Sequence, residues 1–183
     1  ALEMLAQGTL ADRTLVATVM SNAGLDRAVE AAGGRVVRTQ VGDKYVIEEM
    51  MRNGYNLGGE QSGHLIFRDH GTTGDGLVAA LQILRIMRTT GKPLSELTRC
   101  WERFPQVQMN IKVREKRPFE ELAEVPRLKA EAEKALQAQG GRLLLRYSGT
   151  EPKARLLLEG PDAALLEHWA GRIAAAIRAQ IGA

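Results

Sequence analysis

The apolar residues in the first part of the chain alternate between a strand pattern and a helix pattern. Residues 15–19 form an apolar, partly β-branched run without strict alternation, which predicts a strand buried on both faces, as in parallel sheets. A helix capped by Asn22 is predicted to run to Ala32, where two glycines end it. Residues 36 and 37 begin a second strand, and a second helix with paired apolar positions stops at Gly54. The pattern therefore predicts a βαβα order.

The next stretch continues this order and completes a first domain. Residues 65–67 are predicted to form a further strand, and a helix follows from about Leu77 to Arg88. Three leucines of this helix fall on one apolar stripe, namely Leu77, Leu81 and Leu84. The sequence thus predicts a layered α/β domain over residues 1–100, with a linker between about residues 99 and 105.

The second half of the chain has the pattern of a sheet with one solvated face. Apolar and polar residues alternate over residues 107–114. A proline can then open a helix, and two apolar runs at residues 143–147 and 154–158 flank a polar loop. A final helix after Asp162 carries an apolar stripe at spacings of four, which must bury against the sheet. Residues 105–183 are therefore predicted to form a small α+β domain with the order β-α-β-β-α.

Composition and charge narrow the function classes. Of 183 residues, 44% are hydrophobic and 26% charged, which is typical of a globular protein with one or two cores. No run approaches the roughly 20 apolar residues of a membrane span, and the N-terminus lacks a secretory signal pattern, so we expect a cytoplasmic protein with no membrane partner. A net charge of +3 and 4% aromatic residues argue against a nucleic-acid partner. One cysteine and three dispersed histidines predict no metal cluster.

The first candidate site is the loop Gly58–His64, with the sequence GGEQSGH. Glycines let a backbone approach a ligand closely. Glu60, Ser62 and His64 are separated by single residues, so in an extended loop they would project the same way and suit vicinal sugar hydroxyls. The alternative is a glycine-rich turn with Glu60 solvated and His64 bonded to the backbone. The following segment, DHGTTGDG, could bind an anion at a helix N-terminus, although an ordinary N-cap threonine or aspartate explains it as well.

The second candidate site is the loop of residues 146–155, with the sequence RYSGTEPKAR. In and beside this loop four basic residues stand against one acid, so the small excess of positive charge is concentrated here. A phosphate would find guanidinium groups for bidentate bonds, the hydroxyls of Ser148 and Thr150, and backbone N–H groups freed by Gly149. The alternative is a hairpin turn whose basic residues are solvated. A Walker-type loop is excluded, because the chain contains no Gly-Lys-Ser or Gly-Lys-Thr.

The order and content of three motifs resemble those of the α-D-phosphohexomutase family. The motifs are GGEQSGH, DHGTTGDG and RYSGTEP, and the resemblance covers nearly the whole chain, including TLVATVMSN and GRVVRTQVGDKYV. The middle segment together with Gln61 is most similar to family members that act on glucosamine phosphates. The match is specific because two separate motifs of seven residues occur at the family's separation.

The resemblance implies a four-domain enzyme of which this chain supplies the third and fourth domains. Such an enzyme interconverts glucosamine 6-phosphate and glucosamine 1-phosphate through a hexose bisphosphate, an early step toward cell-wall amino sugars. In the family a phosphoserine of the first domain donates the phosphoryl group, and an aspartate- and glycine-rich loop of the second domain holds Mg²⁺. Neither motif is present here. The chain is therefore expected to be inactive without the missing N-terminal domains, to bind a small sugar phosphate, and to belong to a longer protein that could form a homodimer.

By the same resemblance, ten residues are assigned to binding and none to catalysis. The sugar-binding set is Asp43, Lys44, Glu60, Ser62 and His64. The phosphate-binding set is Arg146, Ser148, Gly149, Thr150 and Arg155. Hexose-specific relatives place a histidine where Asp43 stands, so an acid–base role for Asp43 does not follow. Two alternatives stay open: the same part of a phosphomannomutase or phosphoglucomutase, and a non-catalytic anion-binding module.

Overall fold

The computed structural model describes all 183 residues, Ala1–Ala183, and the chain divides into two units between Arg103 and Phe104. The first unit is Ala1–Arg103 and the second is Phe104–Ala183. None of the helices combines the length and the apolar character that a membrane crossing requires.

The first unit is built on a four-stranded mixed sheet. Its strands are β1 (Thr14–Thr18), β2 (Arg35–Thr39), β3 (Leu57–Gly59) and β4 (Leu65–Phe67). In the order β2-β1-β3-β4, β1 is parallel to both β2 and β3, whereas β4 is antiparallel to β3. The helices are α1 (Leu2–Ala6), α2 (Gly24–Ala31), α3 (Asp43–Asn53), α4 (Gly76–Thr90) and α5 (Leu94–Leu97).

Strand β1 connects the two apolar clusters of the first unit, and all five of its residues are buried. Leu15 packs in one cluster with Leu5 of α1 and Val29 of α2. Val16 packs in the other cluster with Val46 of α3. Because successive side chains of a strand point to opposite faces, the clusters lie on opposite faces of the sheet. This arrangement confirms the predicted strand buried on both faces and the layered α/β fold.

Strand β3 is absent from the sequence prediction, because two of its three residues are glycines. A Cβ atom on Gly58 would lie 2.5 Å from Met50 Sδ and 2.7 Å from Val46 Cγ1. A Cβ atom on Gly59 would lie 2.6 Å from Leu65 Cδ2. Both glycines are buried. They therefore permit close packing of β3 against α3 and β4, not the ligand approach that the sequence suggested for the glycines of this loop.

Helix α4 differs from expectation in what its apolar stripe contacts. The exposed fractions of Leu77, Leu81 and Leu84 are 78%, 64% and 56%, and no residue of the helix is buried. Within the first unit, α4 packs mainly against the short edge strand β4 and against α5. A three-residue strand offers too little surface to cover a helix of 15 residues, so the stripe faces solvent in this unit.

The second unit is an antiparallel sheet with helices on one face. Its strands are β5 (Gln106–Lys112), β6 (Arg142–Tyr147) and β7 (Lys153–Glu159), and its helices are α6 (Val125–Gln137) and α7 (Ala163–Ile181). The sheet order is β5-β7-β6, and β7 pairs antiparallel with both neighbours. The chain order β-α-β-β-α is the predicted one. The α/β and α+β fold classes are both confirmed.

The two faces of this sheet differ in chemistry. One face, with Ile111 and Leu156, packs on buried residues of α6 and α7 to form the core. On the other face the buried carboxylate of Glu159 accepts a hydrogen bond from Arg142 Nε at 2.6 Å and another from Gln106 Nε2. On the same face, the next pair toward the hairpin is Leu144 with Leu157, and the pair after it is Arg146 with Arg155. The candidate phosphate loop lies at that end.

Candidate functional site

The segment between β3 and β4 is a tight turn. The Glu60 N–H donates to the carbonyl oxygen of His64 at 2.9 Å, and the Gly63 N–H donates to that of Glu60 at 3.1 Å. Gly63 has φ +93°, a conformation that favours glycine. The prediction of an extended loop, in which Glu60, Ser62 and His64 project the same way, is therefore wrong, because the backbone closes on itself between the first and the last of them.

Glu60 joins this turn to the start of helix α3. Its Oε1 atom accepts a hydrogen bond from the Gly42 N–H at 2.9 Å. Gly42 has φ +132°, which a residue with a Cβ atom rarely adopts. The bond brings together two segments that the sequence analysis connected only by resemblance, namely residues 42–44 and 60–64. Glu60 is therefore partly engaged within the protein, and its second carboxylate oxygen remains for a ligand.

Three of the other four side chains assigned to the sugar, those of Asp43, Lys44 and Ser62, are exposed on these segments. Asp43 begins α3, and its Oδ1 atom accepts from the N–H of Lys44 at 2.8 Å. Lys44 Nζ lies 3.8 Å from Glu48 Oε1, a long and exposed ion pair that holds the ammonium weakly. Ser62 stands at the tip of the turn and makes no side-chain hydrogen bond. The Lys44 ammonium group and the Ser62 hydroxyl can donate to ligand oxygens, and Asp43 Oδ2 can accept from a hydroxyl.

His64 is held against the loop that precedes α4. A Cβ atom on Gly74 would lie 1.6 Å from His64 Cδ2, so the imidazole rests directly on this glycine. Asp75 is the N-cap of α4, and its carboxylate accepts from the N–H groups of Leu77 and Val78. The ordinary N-cap explanation of this segment is thus the correct one. The loop contacts His64 through Gly74.

Gln61 fixes the turn to the end of the central strand. Its Oε1 atom accepts from the hydroxyl of Thr18 at 3.1 Å, and Thr18 is fully buried at the end of β1. The turn therefore sits at the carboxyl end of a parallel strand, where ligands of open α/β sheets commonly bind. Thr18 is a residue of this region that the sequence analysis did not single out.

In the second unit, Arg146 and Arg155 stand directly opposite each other across β6 and β7. Like charges in this position repel, so the pair is unfavourable unless an anion lies between the two guanidinium groups. Arg146 makes no ion pair and no side-chain hydrogen bond, and Arg155 Nε is buried without a hydrogen-bond partner. Arg146 thus retains all its donors for an anion, whereas Arg155 also forms an ion pair with Glu151.

The turn that follows β6 presents free backbone donors. Ser148 is buried, and its N–H donates to the carbonyl oxygen of Lys153 at 2.9 Å. The N–H groups of Gly149, Thr150 and Glu151 donate to no group of the protein. Successive free N–H groups of this kind form a concave donor surface for anions. The hairpin alternative is thus correct for the backbone, and the same hairpin carries the features of an anion site.

Glu151 is the one acid of this loop, and it faces two of the loop's bases. Its carboxylate accepts from Lys153 Nζ at 2.5 Å and from Arg155 Nη2 at 3.2 Å. The hydrogen bond from Lys153 is the main reason that the pKa of Glu151 lies below its ordinary value, with a smaller contribution from Arg155. Glu151 therefore remains charged and competes with an anion for these two side chains.

A second segment, residues 116–119, supports this loop and escaped the sequence analysis. Lys116 Nζ donates to the carbonyl oxygen of Ser148 at 2.7 Å, and the hydroxyl of Tyr147 donates to that of Arg117 at 2.5 Å. The ring of Phe119 stacks on Tyr147 with centroids 4.2 Å apart. Burial raises the pKa of Tyr147, so its hydroxyl stays protonated as a donor. The available signal was the density of bases in KVREKR, residues 112–117.

No group of three or more His, Cys, Asp or Glu side chains comes close enough together to hold a metal ion. The residues of this chain therefore do not fit a resident Mg²⁺.

Both units match domains of a known protein family. Residues 1–104 match the phosphoglucomutase/phosphomannomutase α/β/α domain III, and residues 109–176 match the C-terminal domain of the same family. The chain is 59% identical over 180 residues to phosphoglucosamine mutase of Anaeromyxobacter dehalogenans (strain 2CP-C), covering 98% of this chain and 39% of that protein. It is 52% identical over 182 residues to phosphoglucosamine mutase of Geobacter sp. (strain M21), covering 100% of this chain and 40% of that protein. The chain thus spans about two fifths of the length of these relatives.

Solved structures show the same fold at low sequence identity. The Aspergillus fumigatus N-acetylphosphoglucosamine mutase has a TM-score of 0.74 at 20% identity, over 97% of this chain and 40% of that one. An N-acetylglucosamine-phosphate mutase, described as a member of the α-D-phosphohexomutase superfamily, has a TM-score of 0.69 at 19% identity, over 96% of this chain and 41% of that one. Further structures of the Aspergillus enzyme hold glucose 1,6-bisphosphate, or GlcNAc-6P and magnesium.

Proposed function

The chain belongs to the phosphoglucomutase/phosphomannomutase family, and on this premise we propose that it is the substrate-binding part of a phosphoglucosamine mutase. The complete enzyme would interconvert glucosamine 6-phosphate and glucosamine 1-phosphate through a hexose bisphosphate. The relatives at 52% to 59% identity that carry this name support the choice of substrate. Their greater length supports a further, N-terminal part, to which we assign the phosphoserine, the Mg²⁺ site and the phosphoryl transfer. The same proposal places the enzyme in the cytoplasm, in amino-sugar synthesis for peptidoglycan.

The observation that carries this proposal is the opposed pair of Arg146 and Arg155 beside three free N–H groups. The guanidinium group of Arg146 has no partner in the protein and can bind a phosphate through two N–H groups, while Arg155 can add a further N–H group beside its contact with Glu151. The N–H groups of Gly149 and Thr150, with the hydroxyl of Thr150, would bind the remaining oxygens. This loop would hold the phosphate that is not being transferred.

The segments joined by the Glu60–Gly42 bond would hold the sugar. The free oxygen of Glu60 and the hydroxyl of Ser62 provide an acceptor and a donor–acceptor for ring hydroxyls. His64, Asp43 and Lys44 border the same segments. We assign them to orientation of the sugar, and we assign no acid–base step to any of them.

The two kinds of contact suit a substrate that must turn around. A bisphosphate has to present each phosphate in turn to one phosphoryl donor, so the binding groups must accept two orientations of the same ring. Flexible donor–acceptor groups at the sugar and a loop that recognises any phosphate meet this requirement. The binding energy from these groups would be used for positioning, which contributes much of the acceleration in phosphoryl transfer.

Titration of the 183-residue chain with inorganic phosphate, followed by backbone amide NMR, tests the phosphate loop. We expect saturable shifts centred on Ser148, Gly149 and Thr150, with weak affinity that falls as salt rises because the site is open to solvent. Arg146→Ala should abolish these shifts. The matched control is Arg88→Ala, which removes the same charge from exposed α4 in the first unit and should change nothing.

Shifts spread over Arg27, Arg88 and Arg172, with no preference for the loop, would show nonspecific binding to surface charge and would contradict the proposal.

A further inference from the structure

We infer that Lys116 is a positioning residue of the phosphate loop, which it holds in the conformation that presents its N–H groups to an anion. This inference rests on the proposed phosphate site. The candidate phosphate loop covers residues 146–155, whereas Lys116 lies 32 residues before Ser148 in the chain.

The contacts of Lys116 are to the backbone of the loop itself. Its Nζ atom donates to the carbonyl oxygen of Ser148 at 2.7 Å and approaches that of Gly149 at 3.5 Å. No carboxylate lies within 4 Å of this ammonium group, in contrast to Lys153 and Arg155, which both contact Glu151. The charge of Lys116 is therefore directed entirely at two successive peptide groups.

The geometry of the peptide bond converts these two contacts into an orientation of donors. In a trans peptide the carbonyl of one residue and the N–H of the next point in opposite directions, and the chain contains no cis peptide. When the carbonyls of Ser148 and Gly149 point toward Lys116, the N–H groups of Gly149 and Thr150 point away from it. Those are two of the three N–H groups of the turn that have no partner in the protein.

The charge of Lys116 also strengthens these donors. A cation bound to a carbonyl oxygen polarises the peptide group, and hydrogen-bonded groups in series reinforce one another. The Gly149 and Thr150 N–H groups thus become better donors to an anion on the opposite side of the turn. A Cβ atom on Gly149 would meet nothing within 4 Å, so no side chain packs at this position to fix the orientation of these peptides.

The segment that carries Lys116 is itself held in place. The hydroxyl of Tyr147 donates to the carbonyl oxygen of Arg117, and Phe119 stacks on the ring of Tyr147. Tyr147 is the last residue of β6, directly before the turn. Lys116 is therefore anchored to the same strand that leads into the loop, so its ammonium group returns to the two carbonyls at little entropic cost.

The test is phosphate titration of the 183-residue chain carrying Lys116→Met, followed by NMR. Without phosphate, the carbonyl ¹³C resonances of Ser148 and Gly149 should shift, because they lose their hydrogen-bond donor. With phosphate, the Kd should rise about five- to tenfold, in the range for one charge-assisted hydrogen bond at an open site. Lys116→Arg, which retains both charge and donors, should restore most of the affinity.

The matched control is Lys112→Met. Lys112 lies at the end of β5, opposite Lys153, and makes no contact with the turn carbonyls. The Lys112→Met substitution removes the same charge from the same end of the sheet. We expect it to change the Kd for phosphate by less than about twofold. Should Lys116→Met fail to fold, Lys116→Gln keeps an amide donor without the charge and should give an intermediate Kd.

Three outcomes separate this inference from the proposed function. If the unaltered chain shows no phosphate shifts at Gly149 and Thr150, the phosphate site itself is wrong, and the inference falls with it. If the unaltered chain binds phosphate and Lys116→Met binds it equally well, the site stands and the role of Lys116 is overturned. Equal losses in Lys116→Met and Lys112→Met would show an effect of charge alone and would also overturn positioning.

Discussion

At the scale of single residues, the packing of the His64 ring on Gly74 can be tested by adding a methyl group to the glycine. A Cβ atom on Gly74 would lie 1.6 Å from His64 Cδ2 and 2.1 Å from Nε2. The histidine side chain is exposed and can rotate away, so Gly74→Ala should displace the imidazole without unfolding the chain. We expect the ring resonances of His64 to shift, while the free energy of unfolding changes by less than about 1 kcal/mol.

The matched control for this change is Gly71→Ala in the same loop, where an added Cβ atom would meet nothing within 4 Å. Its His64 ring resonances should match those of the unaltered chain. Unchanged His64 resonances in Gly74→Ala would contradict the placement of the imidazole on this glycine.

At the scale of elements, helix α4 should contribute little to stability through its leucine stripe. Leu81 is 64% exposed, whereas Met50 of α3 is fully buried between the helix and the sheet. Leu81→Gln should change the free energy of unfolding by no more than about 0.5 kcal/mol, as for other exposed positions. Met50→Ala should cost about 2–5 kcal/mol, because it leaves a cavity in the core. Urea unfolding, followed through the amide resonances of β1, measures the free energy of unfolding of each variant.

A destabilisation by Leu81→Gln comparable to that of Met50→Ala would mean that the stripe is covered in solution. Sedimentation of the unaltered chain would then show whether a second copy covers it.

At the scale of the whole molecule, the proposal assigns substrate binding to this chain and phosphoryl transfer to an N-terminal part. We therefore predict that this chain alone has no mutase activity. The chain is proposed to hold the sugar and one phosphate. It contains no cluster of three or more His, Cys, Asp or Glu side chains that could hold a metal ion. Phosphoryl transfer also needs a donor and neutralisation of the developing charge. The purified chain, supplied with glucosamine 6-phosphate and glucose 1,6-bisphosphate, should therefore give no glucosamine 1-phosphate.

The complete enzyme of the proposed function is the positive control. There, Glu60→Ala should lower kcat/KM by about ten- to 150-fold, the equivalent of about 1.5–3 kcal/mol for a hydrogen bond involving a charged group. If the chain alone converted the substrate, and Glu60→Ala abolished that activity, the proposal that phosphoryl transfer needs an N-terminal part would be wrong.

The sequence by itself determined the features that depend on local periodicity and residue type. The buried run at β1, the alternation at β5 and the apolar spacing of α7 each report which faces must be buried, so the corresponding elements and both fold classes follow from them. The three motifs were sufficient to identify the family, because they are continuous stretches of chain whose content does not depend on any distant contact.

Only the tertiary structure decided the features that depend on residues far apart in the chain. Strand β3 exists because Gly58 lets α3 pack closely, and no local pattern of three residues reveals such a fit. The exposure of Leu81 depends on which strand lies beside α4, and a hydrophobic stripe has the same spacing whether or not a partner covers it. Lys116 meets the turn after β6 across 32 residues of sequence. Periodicity describes one element at a time, whereas packing and hydrogen bonding between elements are properties of the folded chain.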